Sequence, residues 1–263
     1  MSRIAATFAR LRDERRLGVI AYLTVGYPSL ALTPELVRTA ATSGADLIEL
    51  GIPFSDPLAD GRTIQASSQA ALKGGVTVAK ALETAAVARR LTDVPILFMT
   101  YLNPILAFGL ERFGRAAKEA GIDGLIVPDL PPAEAAELRR CAAASDLGLV
   151  FFVAPTSSPQ SIAAACAAST AFVYCIALTG VTGARQALDP AVLPLIDTVR
   201  RVTRLPIVVG FGISRPEHLE ALEGKADGAI IASALLDAIG QAPEDALTQV
   251  AHFLQPLRRS ARP

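Results

Sequence analysis

Short apolar runs rich in Val, Ile, Leu and Phe recur along the chain at residues 18–26, 45–53, 95–103, 124–131, 149–157, 172–180, 206–214 and 228–233. Few polar residues alternate within them, which predicts strands covered on both faces, as in a parallel sheet. Between them lie Ala-rich stretches with helical spacing, such as 132–144 and 158–168. Most starts fall 22 to 34 residues apart, enough for a strand, a helix and two loops. The interval from 45 to 95 is longer and leaves room for an extra helix, 63–73 followed by 76–91. Ile4, Phe8 and Leu11 mark one face of an opening helix. Eight β/α units predict an α/β fold of the (β/α)8 TIM barrel type, one domain over 1–263, with an extra N-terminal helix and an extra helix after strand 2. A doubly wound open sheet is the alternative, although it would not need eight strands. No linker, low-complexity stretch or charge run marks a second domain.

Composition narrows the function classes. The 263 residues are 51% hydrophobic and 19% charged, which excludes intrinsic disorder. Lys+Arg 25 against Asp+Glu 25 gives zero net charge, so nucleic-acid binding loses most of its weight. No apolar run reaches the roughly 18 residues of a membrane span, and residues 1–16 contain no signal-peptide core. Cys141, Cys166 and Cys175 are odd in number and form no C-x-x-C, which favours free thiols and a cytoplasmic location. The two histidines, His218 and His252, exclude a multi-histidine metal site, and no metal is expected. Both read as surface positions on helices.

In such a barrel, chemistry belongs to the loops that follow the strands. The segment from Thr39 to Gly61 holds four carboxylates, Asp46, Glu49, Asp56 and Asp60, and no Lys or Arg. Glu49 sits inside an apolar run and shares a strand face with Leu47 and Gly51. A carboxyl desolvated without a cation keeps its proton to higher pH, which suits a general acid and base. A distant ion pair, or a side chain protruding at the strand end, is the structural alternative. Asp60 precedes a glycine, which taken alone is ordinary turn chemistry. Across the rim, Gly210-Phe211-Gly212 and Ala232-Ser233 follow strands 7 and 8. That is where barrels often hold phosphate on backbone N–H groups and a short helix. Ser233 fits the N-cap of a helix closed by Gly240, and Gly180–Gly183 offers a third wall. The same glycines could simply make turns. A dinucleotide fingerprint fails because Arg215 stands at its third glycine, and no phosphate-loop lysine motif exists. Tyr22, Tyr27, Tyr101 and Tyr174 lie in or just after strands; each alone suits a core, and together they suit a pocket wall. Asn103, the only asparagine, is read as ending strand 3.

These residues carry a resemblance. LIELGIPFSDPLADG at 47–61, YLNP at 101–104, GLIVPDLP at 124–131, GVTG at 180–183 and VGFGIS at 209–214 occur in the order of the tryptophan synthase alpha subunit family. The likeness runs from about residue 18 to 240. It implies cleavage of indole-3-glycerol phosphate to indole and glyceraldehyde 3-phosphate. Glu49 would be the general acid and base, and Asp60 would accept the indole N–H. Tyr22, Tyr101, Tyr174, Thr182 and Phe211 would surround the indole and glycerol chain, and Thr182 would meet Asp60 on closure. Gly183, Gly212, Ala232 and Ser233 would hold the phosphate. Pro53, Asp56, Pro57, Asn103 and Pro131 would face a beta subunit, expected as an alpha2-beta2 assembly. The chain would carry no cofactor; pyridoxal phosphate would belong to that partner. Ala232 stands where many relatives have Gly, and Tyr22 where Phe is frequent. Three other readings remain at this level: a free-standing lyase, a non-catalytic activating subunit, and a different phosphate-binding barrel.

Overall fold

The computed structural model describes residues 1–176, 190–210 and 212–260. Eight parallel strands form a closed barrel in sequence order, which removes the open-sheet alternative. They are β1 Gly18–Thr24, β2 Leu47–Gly51, β3 Ile96–Met99, β4 Gly124–Ile126, β5 Gly148–Val153, β6 Phe172–Ile176, β7 Ile207–Gly210 and β8 Gly228–Ile231. Every residue of β1, β2, β7 and β8 is buried, as a sheet covered on both faces requires. The strands are shorter than the apolar runs because the end of each run turns into the loop above it.

The helices are α1 Arg3–Asp13, α2 Thr33–Thr42, α3 Arg62–Lys73, α4 Val78–Arg89, α5 Leu102–Phe108 and α6 Leu110–Glu119. They continue with α7 Ala136–Ala144, α8 Pro159–Ala168, α9 Val192–Val202, α10 Pro216–Glu220, α11 Ser233–Gln241 and α12 Ala246–Ser260. In α9 the face on the barrel is an apolar stripe of Val192, Leu195, Ile196 and Val199. The opening helix forms as expected, with Ser2 capping it through the Ala5 N–H and Ile4, Phe8 and Leu11 buried. Phe8 meets Phe172 edge-on at 5.9 Å. The extra helix after strand 2 is α3.

Three expectations are corrected here. Asn103 does not end a strand; β3 stops at Met99 and Asn103 lies in α5. That helix tolerates Pro104 in its first turn, where no N–H is needed, and Asp129 accepts its Leu102 N–H at 2.9 Å. Gly240 does not close α11, which runs to Gln241. His218 is not a surface residue; it is buried in α10, whereas His252 is exposed.

A repeated device joins the strands at the amino-terminal floor of the barrel. Asp46, just before β2, receives the Val19 N–H of β1 at 3.0 Å and returns its own N–H to the Val19 carbonyl at 2.7 Å. Asp123 does the same with Ile96 of β3, and Asp227 with Ile207 of β7. At β5 the residue is Thr170, bonded to Leu149 in both directions. Arg16 and Arg10 pair with Asp46, Arg3 and Arg89 with Asp123, and Arg200 with Asp227.

Candidate active site

Glu49 lies in β2, in register with Tyr22 of β1 and Leu97 of β3. It is 1% exposed, and its Oε2 has no hydrogen-bond partner among the described residues. Burial, reinforced by the charge of Asp60, pushes its pKa up to about 8. Among the described residues no cation offsets that burial, which disfavours the ion-pair alternative. Asp60 sits at the end of the loop above β2. Burial raises it to about 6, against the pull of a hydrogen bond from Tyr101. Tyr101, at the start of α5, also accepts the Ala59 N–H at 2.9 Å and stacks near Phe54 with ring centroids 5.4 Å apart. One hydroxyl therefore holds both the loop backbone and its carboxylate. Gln65 of α3 clasps the Asp60 carbonyl at 2.8 Å.

Tyr22 and Tyr174 close the walls. Both are buried, and burial together with the nearby carboxylates raises their pKa values well above the usual phenol range. Each ring crosses the end of another strand. A Cβ at Gly51 would lie 2.0 Å from the Tyr22 hydroxyl, and one at Gly210 would lie 2.2 Å from that of Tyr174. Phe152 packs on Tyr174 at 4.7 Å. Tyr27 lies outside this group, with its hydroxyl beside Gly240 of α11.

On the same rim, after β7, Gly212 is exposed at φ +69°, and no described residue lies within 4 Å of where a Cβ would be. Ser233 is the first residue of α11 and makes no capping bond, so it is not the N-cap as expected. Ala232 takes that position at φ −118° and ψ −85°. No positive φ is needed there, so alanine fits without backbone strain. Gly183, Thr182 and Phe211 lie outside the described residues.

Of the expected partner-facing residues, Asp56, Asn103 and Pro131 are exposed and Pro57 is half-buried. Pro53 is buried and is a correction: it shapes the loop from within. Leu58, in the same loop segment, is 94% exposed. A cavity of about 540 Å³ beside it is lined by Phe54, Pro57, Arg62 and Gln69 among others. Among the described residues, no group of His, Cys, Asp and Glu side chains could hold a metal ion, and no helix could cross a membrane.

Comparison with known proteins agrees with this arrangement. The family model for the tryptophan synthase alpha chain matches residues 8–262. The tryptophan synthase alpha chain of Chloroflexus aurantiacus is 50% identical over the full length of both chains. That of a Roseiflexus species is 48% identical over 98% of this chain and all of its own. A solved chain of Mycobacterium tuberculosis tryptophan synthase superposes with a TM-score of 0.93 at 35% identity, covering 100% of this chain and 99% of that one. A buried Glu49 with the half-buried Asp60 near it at the mouth of a closed barrel, carried by a sequence with these full-length relatives, places the chain in the tryptophan synthase alpha chain family.

Proposed function

We propose that Glu49 and Asp60 perform the family's carbon–carbon cleavage of indole-3-glycerol phosphate, within one barrel domain spanning 1–263. The observation that carries this is the buried Glu49 carboxyl, short of a partner and raised to about 8, close enough to Asp60 to feel its charge. Near neutral pH Glu49 holds a proton and Asp60 does not. Glu49 gives that proton to C3 of the indole ring, and the positive charge that develops toward the ring nitrogen is met by the Asp60 carboxylate. Glu49, now a carboxylate, takes the proton of the glycerol hydroxyl next to the ring. The C3–glycerol bond breaks, its electron pair restores the indole ring, and the oxygen becomes the aldehyde of glyceraldehyde 3-phosphate. Glu49 ends protonated, as it began.

Tyr22, Tyr101 and Tyr174 shape the indole pocket, and the family's pattern assigns Phe211 and Thr182 to the same substrate. Gly183, Gly212, Ala232 and Ser233 supply backbone N–H groups and a hydroxyl to the phosphate, at the positive end of α11. No step needs a cofactor in this chain; pyridoxal phosphate belongs to the beta subunit, with which the alpha chain works. Asp56, Pro57, Asn103 and Pro131, with the exposed Leu58, form the face we assign to that partner in an alpha2-beta2 assembly. Three buried cysteines, all unpaired, suit a cytoplasmic enzyme.

The test is indole release from indole-3-glycerol phosphate by the purified chain, with and without a beta subunit. Slow release alone, much faster release with the partner, and near-complete loss in Glu49→Gln are expected. Fast release alone would favour the free-standing lyase, and normal turnover in Glu49→Gln would overturn the acid–base assignment.

A further inference from the structure

Three buried side-chain polar atoms have no hydrogen-bond partner among the described residues: Oε2 of Glu49, Oγ of Ser214 and Nε2 of His218. Such atoms are rare in folded proteins and ask for an explanation. The first belongs to the proposed catalytic pair. The other two lie together after β7, because the Ser214 N–H donates to Nδ1 of His218 at 3.3 Å. That is the only hydrogen bond we find among the described residues for the turn 212–214. Among the described residues the turn is otherwise held by packing, with Ile213 3% exposed below it, while Gly212 has no described neighbour within 4 Å of where a Cβ would be.

We propose that His218 is a positioning residue for the substrate phosphate: its Nδ1 fixes the Ser214 N–H and so holds the turn that presents Gly212 to the phosphate. This rests on the phosphate site assigned above. An acceptor Nδ1 carries no proton, so the neutral ring bears its proton on Nε2. The ring is 3% exposed and its helix is started by Pro216, so its orientation is set by the fold and not by the ligand. Its effect on phosphate is one of shape: it sets where a backbone N–H points and brings no positive charge of its own. Holding the turn before substrate arrives spares the ordering cost on binding.

His218→Leu removes the acceptor, whereas His218→Asn puts Oδ1 near the place of Nδ1 and keeps it. We expect His218→Leu to raise KM for indole-3-glycerol phosphate roughly tenfold, the order of one lost hydrogen bond, with kcat changed less than about twofold. The inhibition constant of inorganic phosphate should rise in parallel, and His218→Asn should restore most of both. In the unaltered protein, nitrogen NMR of the two imidazoles should show His218 as the Nε2–H tautomer and shift it when inorganic phosphate is added. The exposed His252 serves as the control. A folded His218→Leu protein with unchanged KM, or an Nδ1–H tautomer, would overturn the proposal. If His218→Leu fails to fold, the tautomer and the phosphate titration decide it. Ser233→Asp separates the two levels. If it raises KM and His218→Leu does not, this inference alone fails; if neither does and phosphate does not compete, the phosphate site itself is misplaced.

Discussion

Glu49 and Asp60 release their protons at different pH values, about 8 and about 6, because one is the more deeply buried and also feels the other's charge. Between those values the pair carries one proton and one negative charge, the state the proposed mechanism uses. We expect kcat/KM to follow a bell over that window, its limbs belonging to the coupled pair; Asp60→Asn should lose most of the rate and remove the acid limb. Stability follows with a definite sign. An unfolded Glu titrates near 4.5, so from there to about 8 the folded chain keeps a proton that the unfolded chain has released. Stability therefore falls as pH rises through that window, at a rate approaching about 1.4 kcal/mol for each pH unit crossed. Glu49→Gln should be the more stable protein at pH 8, with the difference closing toward pH 4 in urea melts. Glu49 was legible in the sequence because a lone carboxylate stood in an apolar strand. The reason for Gly51 and Gly210 was not, since Tyr22 and Tyr174 reach them through space. Gly51→Ala should displace the Tyr22 ring at a cost of roughly 1–3 kcal/mol and depress kcat/KM; a variant with wild-type melting and turnover would contradict this.

At the scale of elements, one bond ties the two halves of the site. Thr63 of α3, just past Asp60, donates to Asp237 of α11 at 3.0 Å, one turn beyond Ser233. Asp237→Ala should raise KM and lower kcat by a few fold, the worth of one exposed hydrogen bond, and Thr63→Ala added to it should do little more. Kinetics on the two single variants and the double variant check this. Phe8 of α1 shows a larger effect: cutting it to Ala removes the ring from beneath Phe172 and should cost about 3–5 kcal/mol in thermal or urea unfolding. Period and spacing revealed α1, α3 and all eight strands. They missed α5, because its cap comes from Asp129 in a different loop, and a helix capped from afar leaves no local signature. They misjudged His218 for a related reason: a five-residue helix is too short for its buried face to show as a repeat.

For the whole molecule, the floor device of Asp46, Asp123, Thr170 and Asp227 matters most. Asp46 is 6% exposed and takes Arg16 in a two-point grip at 2.6 and 2.7 Å. Asp46→Ala leaves that half-buried guanidinium with Glu14 in place of two acidic partners and the Val19 N–H without its acceptor, and should cost roughly 1–3 kcal/mol, seen as a lower urea midpoint with indole release nearly intact in the protein that remains folded. Four of the sequence's acidic residues stood in one segment, yet Asp46 belongs to the opposite end of the strand from Glu49, and only the direction of the strand separates structure from chemistry there. The device also has a consequence for how the protein is made. Each of these bonds closes within its own strand–helix–strand pair, over separations of 27, 27, 21 and 20 residues. A chain leaving the ribosome can therefore fasten each pair as it emerges, without waiting for the next. One seam has to wait, that between β8 and β1, and there the Asp227 carbonyl receives the Gly18 N–H at 3.0 Å while its carboxylate holds Ile207. Asp227 thus secures the last pair to be synthesised and joins the end of the barrel to its beginning.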